Sequence, residues 1–166
     1  MERKEFEHMI PRLRPSMVKV GRNFFGNMMD AEDVAQESLV RLWTYCERLN
    51  SDMNIEALAI KVAKNVCMDI YKKMNSADIE PPETLLASSS DMSDAGIMAE
   101  DTRQKIDEAI ERLNPRERQL IRARHIDDRS TEDISKDTGL PRSSVQSMIS
   151  VARKKLIKDL QKRLRV

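Results

Sequence analysis

Apolar residues recur at helical spacing along most of the chain. Met9, Leu13, Met17, Val20, Phe24 and Phe25 form a first stripe, which Pro11 and Pro15 are expected to interrupt and Gly26 to stop. Val34, Ala35, Leu39, Leu42, Trp43 and Cys46 form a second. Asp30 is its expected N-cap, and Glu32 and Asp33 fall in the first turn, where carboxylates suit the positive end of a helix. This phase leaves Glu32, Asp33, Gln36, Glu37 and Arg41 facing outward. The third stripe is the most regular: Ile55, Leu58, Ala59, Val62, Ala63, Val66, Cys67 and Ile70 recur at i, i+3, i+4, i+7. Its outer face carries Lys61, Lys64, Asn65, Asp69, Lys72 and Lys73, and the short polar loop Arg48–Asn54 precedes it.

The C-terminal part is punctuated by capping signals. Asn114-Pro115-Arg116-Glu117 combines an N-cap, a proline at the first helical position and a capping-box Glu. Ser130-Thr131-Glu132-Asp133 opens a second helix, about 131–138, that stops at Gly139. After Leu140-Pro141 a third begins, with Val145, Ile149, Ala152, Leu156 and Leu160 on one face. A short helix, a glycine-containing turn and a longer helix predict a helix-turn-helix. Arg142, Ser143, Ser144, Gln146 and Ser147 then begin the groove-facing helix, with Ser150 further along it. Arg153, Lys154, Lys155 and Lys158 supply a basic stretch suited to phosphates.

Four glycines, six prolines and this periodicity predict an all-α chain. The length, 166 residues, allows two small domains and no large catalytic fold. The whole-chain charge of +1 argues against a nucleic-acid partner until it is resolved along the sequence. Residues 1–80 carry 12 basic and 13 acidic side chains; residues 81–101 carry five acidic and none basic; residues 102–166 carry 17 basic and ten acidic. A near-neutral segment, a −5 tether and a +7 segment are averaged away in the total. Pro81-Pro82 and the run Ser88–Asp94 mark the tether as a flexible acidic linker. The expected domains are 1–77 and 102–166, with the linker at 78–101.

Candidate chemistry is sparse. Cys46 and Cys67 lack metal or disulfide spacing and fall on inward faces, and His8 and His125 lack partners at ligand spacing, so no metal and no cofactor are expected. No phosphate loop or nucleophile–base pair points to an enzyme. No apolar leader core follows Met1–Glu5 and no run of about 18 apolar residues occurs, which predicts a cytoplasmic protein with no membrane insertion.

Three patches resemble bacterial RNA polymerase sigma factors of the sigma-70 family, extracytoplasmic-function subfamily. Asp30–Trp43 (DAEDVAQESLVRLW) resembles that family's polymerase-binding helix, Ala63–Asp69 the start of its −10-reading helix, and Leu113–Leu156 its −35-reading C-terminal domain. The resemblance implies that Glu32, Asp33, Gln36, Glu37 and Arg41 dock on the clamp helices of the largest polymerase subunit. It implies that the loop Asn50, Ser51, Asp52, Met53 and Asn54 captures an unstacked base of the −10 element. Lys61, Lys64, Asn65, Asp69, Lys72 and Lys73 would hold the adjacent strand; a solvated charged face, or an internal bridge in the case of Asn65, is the plainer reading. The implied −35 readers are Arg142, Ser143, Ser144, Gln146, Ser147, Ser150, Arg153 and Lys154, in a domain that also meets the polymerase flap. The family further implies an anti-sigma partner.

The chain departs from the family at Ala57, near a frequent Trp, and at Gln146, Met148 and Val151, where basic residues are common. Fewer Arg–guanine contacts are then available, and Gln favours adenine, which predicts a distinct −35 preference. The competing reading is a helix-turn-helix regulator with a LuxR-like DNA-binding domain on a helical sensor domain. A helical adaptor that binds no DNA fits poorly with the +7 segment.

Overall fold

The computed structural model describes residues 1–50, 52–77 and 100–164. Ser51 and nearly all of the expected linker lie outside the described residues. The chain divides into two compact units, Met1–Met74 and Asn75–Val166. Among the described residues there are seven α-helices and no strand.

The first unit contains α1 (Arg3–Phe25), α2 (Met28–Tyr45) and α3 (Ile55–Met74), each packed on the other two. Their shared core holds Phe6, Leu13, Met17, Phe24, Val34, Leu42, Ala63, Val66 and Tyr71, with Phe24 edge-on to Tyr71 at 5.9 Å. Both cysteines are buried there as free thiols. The outward side of α1 carries Arg12, which donates to Glu56 of α3 at 2.5 Å.

Two local expectations are corrected. Pro11 and Pro15 do not interrupt α1, which runs unbroken through both. Spaced four apart, the prolines share an exposed face, where water can satisfy the carbonyls they free, while the buried stripe opposite offsets the cost. Asp30 is not the N-cap of α2. Asn27 is, in extended conformation, accepting the Asp30 N–H at 2.8 Å, so the helix starts before Asp30. Asp30 sits in the first turn and takes a 2.6 Å bond from the Asn27 amide. Within the second stripe Leu39 and Trp43 are only half-buried, while Ala31 and Ser38 are buried. Ser38 tolerates this because its hydroxyl donates to the Val34 carbonyl at 2.6 Å.

The second unit contains α4 (Glu100–Glu111), α5 (Pro115–Ile121), α6 (Thr131–Thr138) and α7 (Arg142–Leu164). Glu100 and Asp101, expected in the linker, belong to α4. The capping box at Asn114 forms as expected: Asn114 Oδ1 accepts the Glu117 N–H at 2.8 Å, and Glu117 returns a bond to the Asn114 N–H. After α5 the chain makes a π-helical turn, Arg122–Ile126, which capping and periodicity had not indicated. Asp128 then takes a positive φ of 54° before Ser130 caps α6. Gly139 ends α6 at φ 73°, and Leu140 is buried in the turn. The Leu140 carbonyl accepts from the Ser135 hydroxyl at 2.6 Å. α7 packs against α4, α5 and α6, and is the spine of this unit.

Candidate functional site

On α2 the expected docking residues lie where the periodicity put them. Asp33, Gln36 and Glu37 are exposed; Glu32 and Arg41 are half-buried. Glu32 is engaged by Arg14 of α1. Arg41 bridges two acids: its Nε meets Glu37 Oε1 at 3.2 Å and its Nη1 meets Asp69 Oδ2 on α3 at 2.9 Å. The hydrogen bond to Asp69 outweighs partial burial and raises the Arg41 pKa above its ordinary value.

The loop before α3 is built by its own amides. Asn50 Oδ1 accepts from the Asp52 N–H at 3.4 Å, and the Met53 N–H closes a turn on the Asn50 carbonyl at 3.0 Å. Asn54 Oδ1 accepts from the Ala57 N–H at 3.1 Å, as an N-cap does for α3. Asn50 and Asn54 therefore shape the loop, while Asp52 and Met53 are exposed on it. On α3, Lys61, Asn65, Asp69, Lys72 and Lys73 share the exposed side, and Lys64 is half-buried.

On α7 the expected reading residues separate. Arg142 and Ser143 are exposed at its start, and Arg142 pairs with Glu132 of α6 at 3.2 Å. Gln146 and Ser147 are half-buried. Ser144 and Ser150 are only 4% and 7% exposed. Met148 and Val151 are fully buried. A basic side chain at either place would be desolvated.

Arg153 and Lys154 are half-buried. Arg153 donates through Nε to His125 Nε2 at 3.0 Å, joining α7 to the π-helical turn. Partial burial, and after it the positive charges of Arg153 and Arg124, lower the His125 pKa.

Family comparison decides between the two sequence readings. Residues 9–76 match Sigma-70 region 2, and residues 103–156 match Sigma-70, region 4.

The chain belongs to the sigma-70 family.

The ECF RNA polymerase sigma factor SigW of Bacillus subtilis (strain 168) is 23% identical over 167 residues, spanning 94% of this chain and 89% of that protein. The RNA polymerase sigma-E factor of Streptomyces avermitilis is 24% identical over 164 residues, spanning 96% and 87%. The sigma factor is thus of the extracytoplasmic-function type. Among solved structures, the sigma factor RpoE in complex with the anti-sigma factor NepR from Bartonella quintana aligns with a TM-score of 0.41 at 19% identity, covering 95% of this chain and 98% of that one. The regulator with a sensor domain is not favoured, because region 2 accounts for residues 9–76.

In this sigma factor two outward residues of region 2 escaped sequence reasoning. Val40 and Tyr45 are 58% and 54% exposed on α2, and the Arg48 guanidinium lies 5.7 Å from the Tyr45 ring. The available signal was phase: Val40 follows Gln36 by four positions and falls on the same side. No described helix of the sigma factor is long and apolar enough to cross a membrane.

Proposed function

We propose that this sigma factor binds core RNA polymerase through the exposed side of α2 and directs it to promoters carrying −10 and −35 elements. The observation that carries the reading is one helix face presenting Asp33, Gln36 and Glu37 around the exposed apolar Val40, with Glu32 at its edge. Acid and amide groups around an apolar centre suit a basic partner such as the clamp helices.

The lysines of α3 and the loop ahead of it take the opened −10 strand. Unstacking a base costs about a few kcal/mol, which contacts to the extruded base and cationic contacts to the strand offset. The start of α7 reads the −35 duplex through Arg142, Ser143, Gln146 and Ser147, while Arg153 and Lys154 serve the backbone. The same unit meets the polymerase flap. None of these roles requires the subunit to make or break a covalent bond. The place of action is the cytoplasm, where promoter DNA and polymerase are found, and the family resemblance adds control by an anti-sigma protein that hides these surfaces.

The test is to mix the full chain with purified core polymerase. A shared gel-filtration peak and promoter-dependent transcription are expected. Tight, specific duplex binding by the chain alone, with neither of those results, would return the regulator reading.

A further inference from the structure

Arg41 and Asp69 fall in different candidate sets, docking and DNA, yet they bond each other across α2 and α3 at 2.9 Å. Asp69 lies on the exposed side of α3 that also carries Lys61, Asn65, Lys72 and Lys73. A bare carboxylate there would repel strand phosphates and cancel one lysine. The guanidinium stands where it offsets that charge, and its second bond, to Glu37, fixes its direction.

We propose that Arg41 is a positioning residue for the −10 strand rather than a polymerase contact. It neutralises Asp69 and holds that carboxylate toward α2, so that the α3 stripe keeps its full cationic character. In return Asp69 fixes the stripe in relation to the docking helix. The inference rests on the reading of α3 as the −10 strand surface.

The experiment uses the full chain reconstituted with core polymerase. Its probe is fork-junction DNA recovered by the wild-type holoenzyme from a random-sequence pool, single-stranded through the −10 segment. Arg41→Ala should weaken probe binding by about two- to fivefold, in keeping with a partly exposed charge. It should also make the salt dependence shallower by about 0.7 in log–log slope, as loss of one cation on a single strand predicts. Core affinity should not move. Asp69→Asn alone should tighten probe binding, and the double variant Arg41→Ala/Asp69→Asn should recover the wild-type salt slope. Arg41→Lys, which keeps the charge, should fall between wild type and Arg41→Ala.

Three results would each overturn the proposal while leaving the sigma reading intact. One is unchanged probe binding by Arg41→Ala. Another is a loss of core affinity that Asp69→Asn does not restore, which would make Arg41 a polymerase contact. The third is an equal loss in single and double variants together with a lowered melting temperature, which would make the pair a brace only. If the wild-type holoenzyme recovers no DNA from the pool, the sigma reading falls and takes the proposal with it.

Discussion

Glu117 of α5 and Lys155 of α7 form an ion pair at 2.8 Å in which the carboxylate is 1% exposed and the ammonium is partly solvated. The same carboxylate closes the capping box on the Asn114 N–H. One side chain therefore starts α5 and ties it to the spine of the second unit.

The two ends of this pair should respond unequally to substitution. Glu117→Gln keeps an acceptor for the cap and leaves Lys155 partly solvated, so a loss of about 1 kcal/mol is expected. Lys155→Met removes this cation from a buried carboxylate and should cost more, about 2–4 kcal/mol. Urea unfolding of the two variants checks the order, and a Lys155→Met variant as stable as wild type would show that Glu117 matters only as a cap.

At Gly21, α1 and α2 approach each other closely. A Cβ there would lie 2.9 Å from the Ala31 Cα and 3.0 Å from the Val34 Cβ. Because the obstacle includes backbone, Gly21→Ala should destabilise the first unit by about 1–3 kcal/mol despite its better helix propensity. A melting temperature at or above wild type would contradict this packing.

His125 predicts an acid-side weakness. Its pKa is lowered in the fold by partial burial and by Arg153 and Arg124, so the unfolded chain binds the proton more readily. Its contribution is therefore complete above the ordinary pKa of 6.5 and is lost as pH falls below it. The ring is largely at the surface, so the loss is on the order of a few tenths of a kcal/mol. A protonated ring also cannot accept from Arg153. His125→Asn should flatten the pH dependence of stability between about pH 5 and 7; an unchanged slope would mean another group sets it.

On the docking face, Gln36→Ala with Glu37→Ala removes two exposed side chains and should leave the melting temperature within a degree or two. The affinity for core polymerase should fall about tenfold, or 1.4 kcal/mol. Undiminished affinity in a sedimentation or fluorescence assay would move the docking surface elsewhere.

At the −35 element, Gln146→Ala should relax base preference at one position, by about 1–3 kcal/mol of discrimination, in a binding selection with the holoenzyme. An unchanged consensus would remove Gln146 as a reader.

By itself the sequence determined α1–α3 and α5–α7, though not α4, together with the outward side of α2 and the cap-rich helix-turn-helix. These depend on local rules: apolar spacing, an acceptor such as Asn114 or Ser130 at a helix start, and Gly26 and Gly139 taking positive φ at helix ends. Its errors were also local. Prolines break helices on average, but α1 carries them on the side where water can bond the freed carbonyls. Asn27 and Asp30 are both good caps, and only the observed backbone chose between them.

What tertiary structure alone decided concerns pairs of residues distant in sequence. Whether Ser144, Met148, Ser150 and Val151 meet solvent depends on what surrounds α7, which its own spacing does not contain. That Arg41 reaches Asp69, and Lys155 reaches Glu117, depends on helix packing bringing charges 28 and 38 positions apart within 3 Å. Charge resolved along the chain separated a near-neutral first segment from a basic second one. Packing then showed that part of this charge is spent inside the protein, because a short ion pair can form only after the fold has set the distance.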